Sequence, residues 1–137
     1  MKKHIIPIFA ILIILSVVFI YSCHKSGTSG CPTGGGKGGS ITLNIIPEHS
    51  NYFVDSCMVY IKYGTQDAPA SGIYDDSMKV SLSDTTPVAS FKGLTEGNYY
   101  VEGIGYHALL SENVKGGLPC TLCAQQTYTV YLPTYPY

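Results

Sequence analysis

The chain has 137 residues and a formal net charge of −1, and all of its eight strongly basic residues are lysines. Arginine supplies the bidentate contacts to phosphate and guanine on which nucleic-acid recognition usually depends, so its absence speaks against a nucleic-acid partner. The chain has twelve tyrosines and no tryptophan, and tyrosine favours strands and contact surfaces.

The first segment along the chain is typical of an export signal. Its start, Met1-Lys2-Lys3-His4, is basic, residues 8–20 form an apolar run, and Ile20-Tyr21-Ser22-Cys23 closes it. The arrangement resembles a bacterial lipoprotein signal. That resemblance implies cleavage before Cys23, attachment of acyl chains to this cysteine, and a mature chain that the lipid holds in the cell envelope.

Two other interpretations of the leader stay open, because Tyr21 is bulkier than the residue that lipoprotein signals usually carry there. One is an uncleaved anchor, although the run is slightly shorter than the ~20 apolar residues that span a bilayer. The other is an ordinary secretory signal. By resemblance to other lipoproteins, His24 in place of aspartate favours the outer membrane, and the lack of an acidic stretch after Cys23 favours its periplasmic side.

The sequence predicts three segments: a signal peptide at residues 1–22, a lipidated tether at 23–40, and a single domain at 41–137. The tether is rich in glycine and serine and offers nothing that could build a core. A glycine-rich loop that binds phosphate would need a strand before it and a helix after it, and neither is indicated here.

From residue 41 onward, apolar residues alternate with polar ones, which is the period of a half-buried strand. No part of the mature chain repeats at helical spacing over three turns. About seven short strands with turn signals between them predict an all-β sandwich. The predicted strands are residues 41–46 (ending at Pro47), 57–63, a short strand around Ile73-Tyr74, 78–82, 88–94, 99–106 and 127–132.

A family resemblance rests on residues 91–101, which read Phe-Lys-Gly-Leu-Thr-Glu-Gly-Asn-Tyr-Tyr-Val. This stretch resembles the signature of prealbumin-like sandwiches, which include carboxypeptidase regulatory-like and collagen-adhesin B-type domains. The resemblance implies a seven-stranded Greek-key sandwich, with Leu94 in the core, Gly97 in a turn, and Tyr99 and Val101 pointing inward. It also implies a structural or interaction role. The lysine–asparagine cross-link of some members is not expected, because residues 41–46 lack lysine and residues 127–132 lack asparagine.

The mature chain keeps four cysteines besides Cys23, and an even set in an oxidising compartment predicts disulfides. Three pairings are possible. We favour Cys57, within a strand pattern, bonded to either Cys120 or Cys123, which we place in a loop, with Cys31 bonded to the other. The alternative is a periplasmic redox or metal-binding site at Cys120-Thr121-Leu122-Cys123, although the helix start that lowers a thiol pKa is not indicated there.

Other polar residues suggest no catalytic site, resident metal or cofactor. Asp75-Asp76 lacks the spacing of a calcium loop, and we interpret His49 and His107 as residues of surface loops. Tyr60, Tyr100 and Tyr106 are binding candidates, because they alternate with the apolar positions of their strands. The partner that we expect is an envelope protein or a glycan.

Overall fold

The computed structural model describes residues 30–137, which form a two-layered all-β sandwich, as the periodicity predicts. The predicted signal peptide and Cys23 lie outside the described residues. Seven of the ten strands have four or more residues, and three are shorter. The strands are β1 (Lys37–His49), β2 (Tyr52–Phe53), β3 (Ser56–Tyr63), β4 (Asp76–Lys79), β5 (Ser81–Ser83), β6 (Thr86–Leu94), β7 (Gly97–His107), β8 (Glu112–Leu122), β9 (Thr127–Pro133) and β10 (Tyr135–Pro136).

Each of the two sheets has five strands. The first has the order β2-β1-β6-β5, with β9 paired to β1 in parallel, and the second has the order β10-β8-β7-β3-β4 with antiparallel neighbours. We call these the β1 sheet and the β7 sheet. Cys31–Tyr137 forms one compact unit. The described part contains no helix long and apolar enough to cross a bilayer. The Greek-key, prealbumin-like connectivity stays a prediction.

The core lies between the sheets and is built from the inward-facing member of each alternating pair. The three positions that the residue 91–101 signature places inside, Leu94, Tyr99 and Val101, are all fully buried, and so is Phe91. Burying one side chain of this size stabilises a fold by roughly 1.5–3 kcal/mol. The rest of the completely buried apolar set is Ile41, Leu43, Ile45, Val54, Val59, Ile61, Ala89, Val114 and Leu132.

The sandwich has two distinct ends, which we call the proximal and the distal end. The proximal end carries the start of β1, the turn between β6 and β7, and the end of β8. The distal end carries the end of β1, the start of β3, the turn between β7 and β8, and the C-terminal strand β10. The long strands run between these ends, so the N-terminal and C-terminal parts of the domain lie at opposite ends.

The first strand begins earlier and ends later than the sequence predicts. It begins at Lys37 rather than Ile41, and it continues through Pro47 to His49. The strand tolerates Pro47 because of the direction in which this residue faces. The carbonyl of Pro47 accepts the N–H of Val54, and the nitrogen and carbonyl of one strand residue point to the same side. The nitrogen of Pro47 therefore points away from the neighbouring strand β9, and no hydrogen bond to β9 is lost. The prediction that Pro47 stops the strand is therefore wrong.

Two further predictions about strands are corrected. Ile73 and Tyr74 lie in the connection between β3 and β4, not in a strand. The predicted strand at residues 78–82 is split between β4 and β5, because the chain crosses from one sheet to the other at Val80. Val80 is buried at this crossing, whereas Leu82 is 68% exposed instead of pointing inward.

The glycines Gly103 and Gly105 of β7 lie where neighbouring groups approach the backbone closely. A Cβ on Gly103 would collide with the side chain of Leu132 across the core. A Cβ on Gly105 would collide with the backbone of Ser56 and Cys57 on the adjacent strand. The pairing of β3 with β7 continues without a register shift through both positions.

Candidate functional site

The proximal end is closed by a disulfide between Cys31 and Cys123, whose Cα atoms are 5.0 Å apart and 92 residues apart in the chain. Pairing of Cys31 with one of the two late cysteines is thus confirmed. The predicted bond from Cys57 is wrong, because Cys57 and Cys120 are both thiols among the described cysteines. Cys120 is also inside β8 rather than in a loop.

Strand register explains why Cys57 cannot reach Cys120. The two residues lie in β3 and β8, which flank β7 on opposite sides. Cys57 is opposite Gly105 of β7, whereas Cys120 is opposite Tyr99. Six residues of strand separate these positions, which is about 20 Å at ~3.3 Å per residue. A disulfide requires Cα atoms less than about 7 Å apart.

The thiols of Cys57 and Cys120 are expected to have low reactivity. Burial raises the pKa of Cys57 to about 11, against a smaller lowering by a hydrogen bond with the backbone of Ile104. Burial alone raises the pKa of Cys120 to about 11. A reactive cysteine needs a lowered pKa and access to solvent. With Cys123 bonded to Cys31, this arrangement gives no support to a redox or metal site at Cys120 and Cys123.

The glycine-rich segment at residues 34–36 is docked onto the domain. The backbone of Gly34 accepts the N–H of Asn98 at 2.8 Å, and Gly36 accepts the N–H of Thr95 at 3.0 Å. The hydroxyl of buried Tyr99 accepts the N–H of Gly36 at 2.9 Å and donates to the carbonyl of Thr95 at 2.7 Å. The segment that the sequence assigned to a free tether is therefore fixed from Cys31 onward.

Small residues are required where this segment crosses the turn between β6 and β7. Gly97 has a φ of +148°, and a Cβ on it would overlap the carbonyl group of Gly34. A Cβ on Gly35 would likewise collide with the carbonyl of Asn98. The glycines thus allow two backbones to approach closely, which a flexible spacer would not need.

The three tyrosines predicted as binding residues all face outward from the β7 sheet, but the structure does not bring them together. Tyr60 packs against Tyr74, with ring centroids 5.5 Å apart and an interplanar angle of 42°. The ring of Tyr100 lies over Gly117 on the neighbouring strand, where a Cβ would meet it. Tyr106 is 42% exposed at the distal end.

A shallow groove, which we call the tyrosine groove, lies on the outer face of the β7 sheet beside the β3–β4 connection. It consists of two adjoining cavities of about 420 and 270 Å³ that share Tyr60, Gly72 and Tyr74. The larger cavity continues to Asp75, Asp76 and Ser77, and the smaller continues to Glu102 and Ile104.

Glu102 forms the polar wall of the smaller cavity, and only 12% of its side chain is exposed. One carboxylate oxygen accepts the hydroxyl of Tyr74 at 2.7 Å, and the other lies 2.9 Å from the ammonium of Lys115. Burial, and then the hydrogen bond to Glu102, raise the pKa of Tyr74 well above its ordinary value. The hydrogen bond and charge of Glu102 also raise the pKa of Lys115.

The carboxylates of Asp75 and Asp76 are each paired with a lysine rather than arranged as a calcium loop. Asp75 lies 2.9 Å from Lys62, and Asp76 lies 3.1 Å from Lys37. The hydrogen bond from the N–H of Tyr63 has the largest effect on the pKa of Asp75 and lowers it; burial opposes this, and the hydrogen bond and charge of Lys62 lower it further. Burial alone would raise the pKa of Asp76, but hydrogen bonds led by that of Lys37 outweigh it and lower this pKa.

His49 and His107 are buried at the distal end, with 7% and 3% of their surface exposed, so the surface-loop interpretation is wrong. Their ring centroids are 5.6 Å apart. Nδ1 of His49 donates to the carbonyl of Thr134 at 2.7 Å, and its Nε2 lies 3.2 Å from Glu112. Nδ1 of His107 accepts the N–H of Leu110 at 3.2 Å. Both histidines therefore hold the backbone in place.

The distal end also carries most of the large apolar side chains that are exposed within residues 30–137. A cleft of about 330 Å³ lies there, with Tyr52, Phe53, Leu82 and Leu109 in its wall and His107 at its inner side. We call this surface the distal patch. Its exposed apolar and tyrosine side chains are Tyr52, Phe53, Leu82, Tyr106, Leu109, Leu110, Tyr135 and Tyr137.

Sequence reasoning missed both surfaces except for Tyr60 and Tyr106. Tyr74 and Glu102 become neighbours only because the β3–β4 connection folds back over the sheet, and no local pattern signals that return. The sequence carries a weak signal of the distal patch: the apolar pair Tyr52-Phe53 directly follows a turn, and Leu109-Leu110 lies in one, where polar residues are usual.

Comparison with known proteins does not assign the chain to a family. No protein-family model matches the chain, no curated protein is significantly similar to it, and no solved structure matches it.

Proposed function

We propose that this chain is a lipid-anchored protein of the cell envelope whose sandwich is a non-catalytic interaction module. In this proposal the leader at residues 1–22 directs export and is then cleaved, and the lipid on Cys23 is the anchor. A disulfide between residues 92 positions apart supports an oxidising compartment such as the periplasm. We place the lipid in the outer membrane and the domain on its periplasmic side, from the residues that follow Cys23.

The fold family proposed with this function is the prealbumin-like group. Its support is the burial of Leu94, Tyr99 and Val101, the three positions that the signature places inside, with Gly97 at positive φ. The hydroxyl of Tyr99 also bonds back to the carbonyl of Thr95, four residues earlier. This contact fixes the turn between β6 and β7 in the manner of the tyrosine corner of many sandwiches.

A non-catalytic role is supported by how the reactive side chains are used. Cys57 and Cys120 are buried thiols with pKa values of about 11. His49 and His107 each use a ring nitrogen in a hydrogen bond to a backbone group. Catalysis by any of these groups would require a nucleophile or base that reaches a bound substrate.

The disulfide sets the distance between the anchor and the domain. Only residues 24–30 separate Cys23 from Cys31, and this stretch spans at most roughly 30 Å when fully extended. In the proposed arrangement, the proximal end therefore stands near the membrane surface. The distal end then points away from the lipid, toward other components of the envelope.

The observation that carries the interaction role is the concentration of exposed apolar and tyrosine side chains at the distal end. Scattered exposed apolar residues are ordinary, whereas several that line one cleft, as Tyr52, Phe53, Leu82 and Leu109 do, mark a contact surface. Aromatic residues are also enriched at the centres of protein interfaces. We infer that the distal patch docks onto an apolar surface of another envelope protein.

Site-specific photocrosslinking in intact envelopes tests this proposal. A photoreactive residue at Leu109, which is 70% exposed in the distal patch, should give one dominant crosslinked species. The matched control is Ile73, which is 66% exposed but lies in the β3–β4 connection. Equal crosslinking of the two positions to the same protein, or crosslinking of Leu109 to lipid instead of protein, would contradict the proposal.

A further inference from the structure

The tyrosine groove has features of a ligand site that the proposed docking of the distal patch does not use. Its two cavities, of about 420 and 270 Å³, meet at Tyr60, Gly72 and Tyr74. Ligand sites in proteins are commonly clefts of roughly 300–1,000 Å³. The groove is open along its length, so it suits an extended ligand that lies across the sheet rather than an enclosed small molecule.

The wall that Tyr60 and Tyr74 form is aromatic. Their rings are tilted by 42° and both side chains are only partly buried, so ring surface is left facing the groove. An aromatic ring carries negative charge on its face and positive charge on its edge. The C–H groups on the flat side of a sugar ring are weakly positive, and they complement such a face.

The carboxylate of Glu102 in the groove can accept more hydrogen bonds than it does in the domain. A carboxylate offers about four lone-pair positions, and the carboxylate of Glu102 uses two of them for Tyr74 and Lys115. Because the Glu102 side chain is 12% exposed, its remaining positions are close to the ligand space but largely shielded from bulk water. Hydroxyl groups of a ligand can donate to these positions.

The charges of the groove are balanced internally, which selects against ionic ligands. Three carboxylates border it, and each is paired with a lysine at 2.9–3.1 Å. The pairs are Asp75 with Lys62, Asp76 with Lys37, and Glu102 with Lys115. A phosphate or sulfate would meet carboxylates, and a basic peptide would compete with the lysines. A neutral ligand faces neither cost.

We propose that the tyrosine groove binds an uncharged glycan chain, with sugar rings against Tyr60 and Tyr74 and hydroxyls donating to Glu102. This proposal goes beyond docking by the distal patch and is independent of it. The residues that decide specificity are the two tyrosines, for the sugar faces, and Glu102, for hydroxyl positions.

Titration of the full-length protein with defined oligosaccharides tests the proposal. The protein is held in an amine-oxide detergent, because detergents with sugar headgroups would compete. The probes are neutral hexasaccharides of glucose (α-linked and β-linked) and of mannose, and the charged controls are a heparin hexasaccharide and a polygalacturonate hexamer. Saturation-transfer NMR and tyrosine fluorescence report binding. We expect at least one neutral probe to bind, and the charged probes to bind at least about ten-fold more weakly.

Variants link the binding to the groove. Tyr60→Ala and Tyr74→Ala should each weaken the neutral probe by about ten-fold or more. Tyr106→Ala is the matched control, because it removes an outward tyrosine of the same sheet outside the groove, and it should change affinity less than two-fold. Gly72→Asn should also weaken binding, since a Cβ there meets open space and asparagine tolerates its φ of +67°.

Each outcome decides the question. Thermal unfolding of every variant identifies loss of fold, and Gly72→Asn probes the groove without removing a tyrosine. Failure of all neutral probes, preference for a charged probe, or equal weakening by Tyr106→Ala would overturn the proposal. Because crosslinking at Leu109 does not depend on the groove, a negative glycan result with that crosslink intact refutes this inference alone.

Discussion

Removal of the Cys31–Cys123 disulfide should destabilise the domain substantially. In the unfolded chain the bond closes a loop of 92 residues. Loop-closure entropy for that length corresponds to about 4–5 kcal/mol at 25 °C, and measured losses of native disulfides are about 2–5 kcal/mol. For a domain of this size, such a loss lowers the melting temperature by roughly 20 °C at its upper limit.

The assay is urea unfolding of the full-length protein and of Cys31→Ala/Cys123→Ala, each with and without a reductant. Wild type with reductant should match the double variant, because Cys57 and Cys120 are thiols in the described structure and offer no second bond. The double variant should not respond to reductant. A loss of less than about 1 kcal/mol in the free energy of unfolding would refute this reasoning, because Cys31 would then not be held by the disulfide. A further loss when the double variant is reduced would also refute it, because the domain would then have another disulfide.

Three further predictions concern buried or paired groups. Because burial raises the pKa of Cys57 and Cys120 to about 11, both should resist iodoacetamide at pH 8 until urea unfolds the domain; fast labelling of the native protein would show that they are accessible. The pKa values of Asp75 and Asp76 are lowered by folding, so the unfolded chain takes up protons first as pH falls, and the stabilisation by these carboxylates is present above the unfolded pKa of 3.8 and is lost below it. In that pH range, the urea midpoint of the Asp75→Asn/Asp76→Asn variant should depend less on pH than that of the wild type. An unchanged pH dependence would contradict this. Tyr99→Phe should cost about 1–3 kcal/mol, because it leaves a backbone N–H and a carbonyl without their buried partner, and a cost near zero in the same assay would show that water replaces the hydroxyl.

The strands that alternate regularly could be predicted from sequence, and the irregular ones could not. The residues of β3 and β7 alternate cleanly, and their bounds in the structure are close to those predicted. Strand β8 was missed because it contains Gly116, Gly117 and Pro119, which are residues that weaken a strand signal. Its place is fixed by eleven-residue pairing with β7, which is a tertiary property.

The candidate sites show the same limit. The alternation of apolar and polar residues correctly predicted that Tyr60 faces outward. Its neighbour Tyr74 belongs to a connection whose path depends on the whole fold. The sequence could not choose among three cysteine pairings, because strand register alone separates Cys57 from Cys120. The burial of His49 likewise depends on Thr134, 85 residues later in the chain, which supplies its hydrogen-bond acceptor.

The central claim is a short anchor, with lipid on Cys23 and a disulfide eight residues later that holds the proximal end at the membrane. Peptide mass spectrometry of the protein from native envelopes tests it most directly. The account predicts an N-terminal peptide that begins with acylated Cys23, together with a crosslinked peptide that contains Cys31 and Cys123. A mature chain with unmodified Cys23, or with Cys31 as a free thiol, would contradict the account.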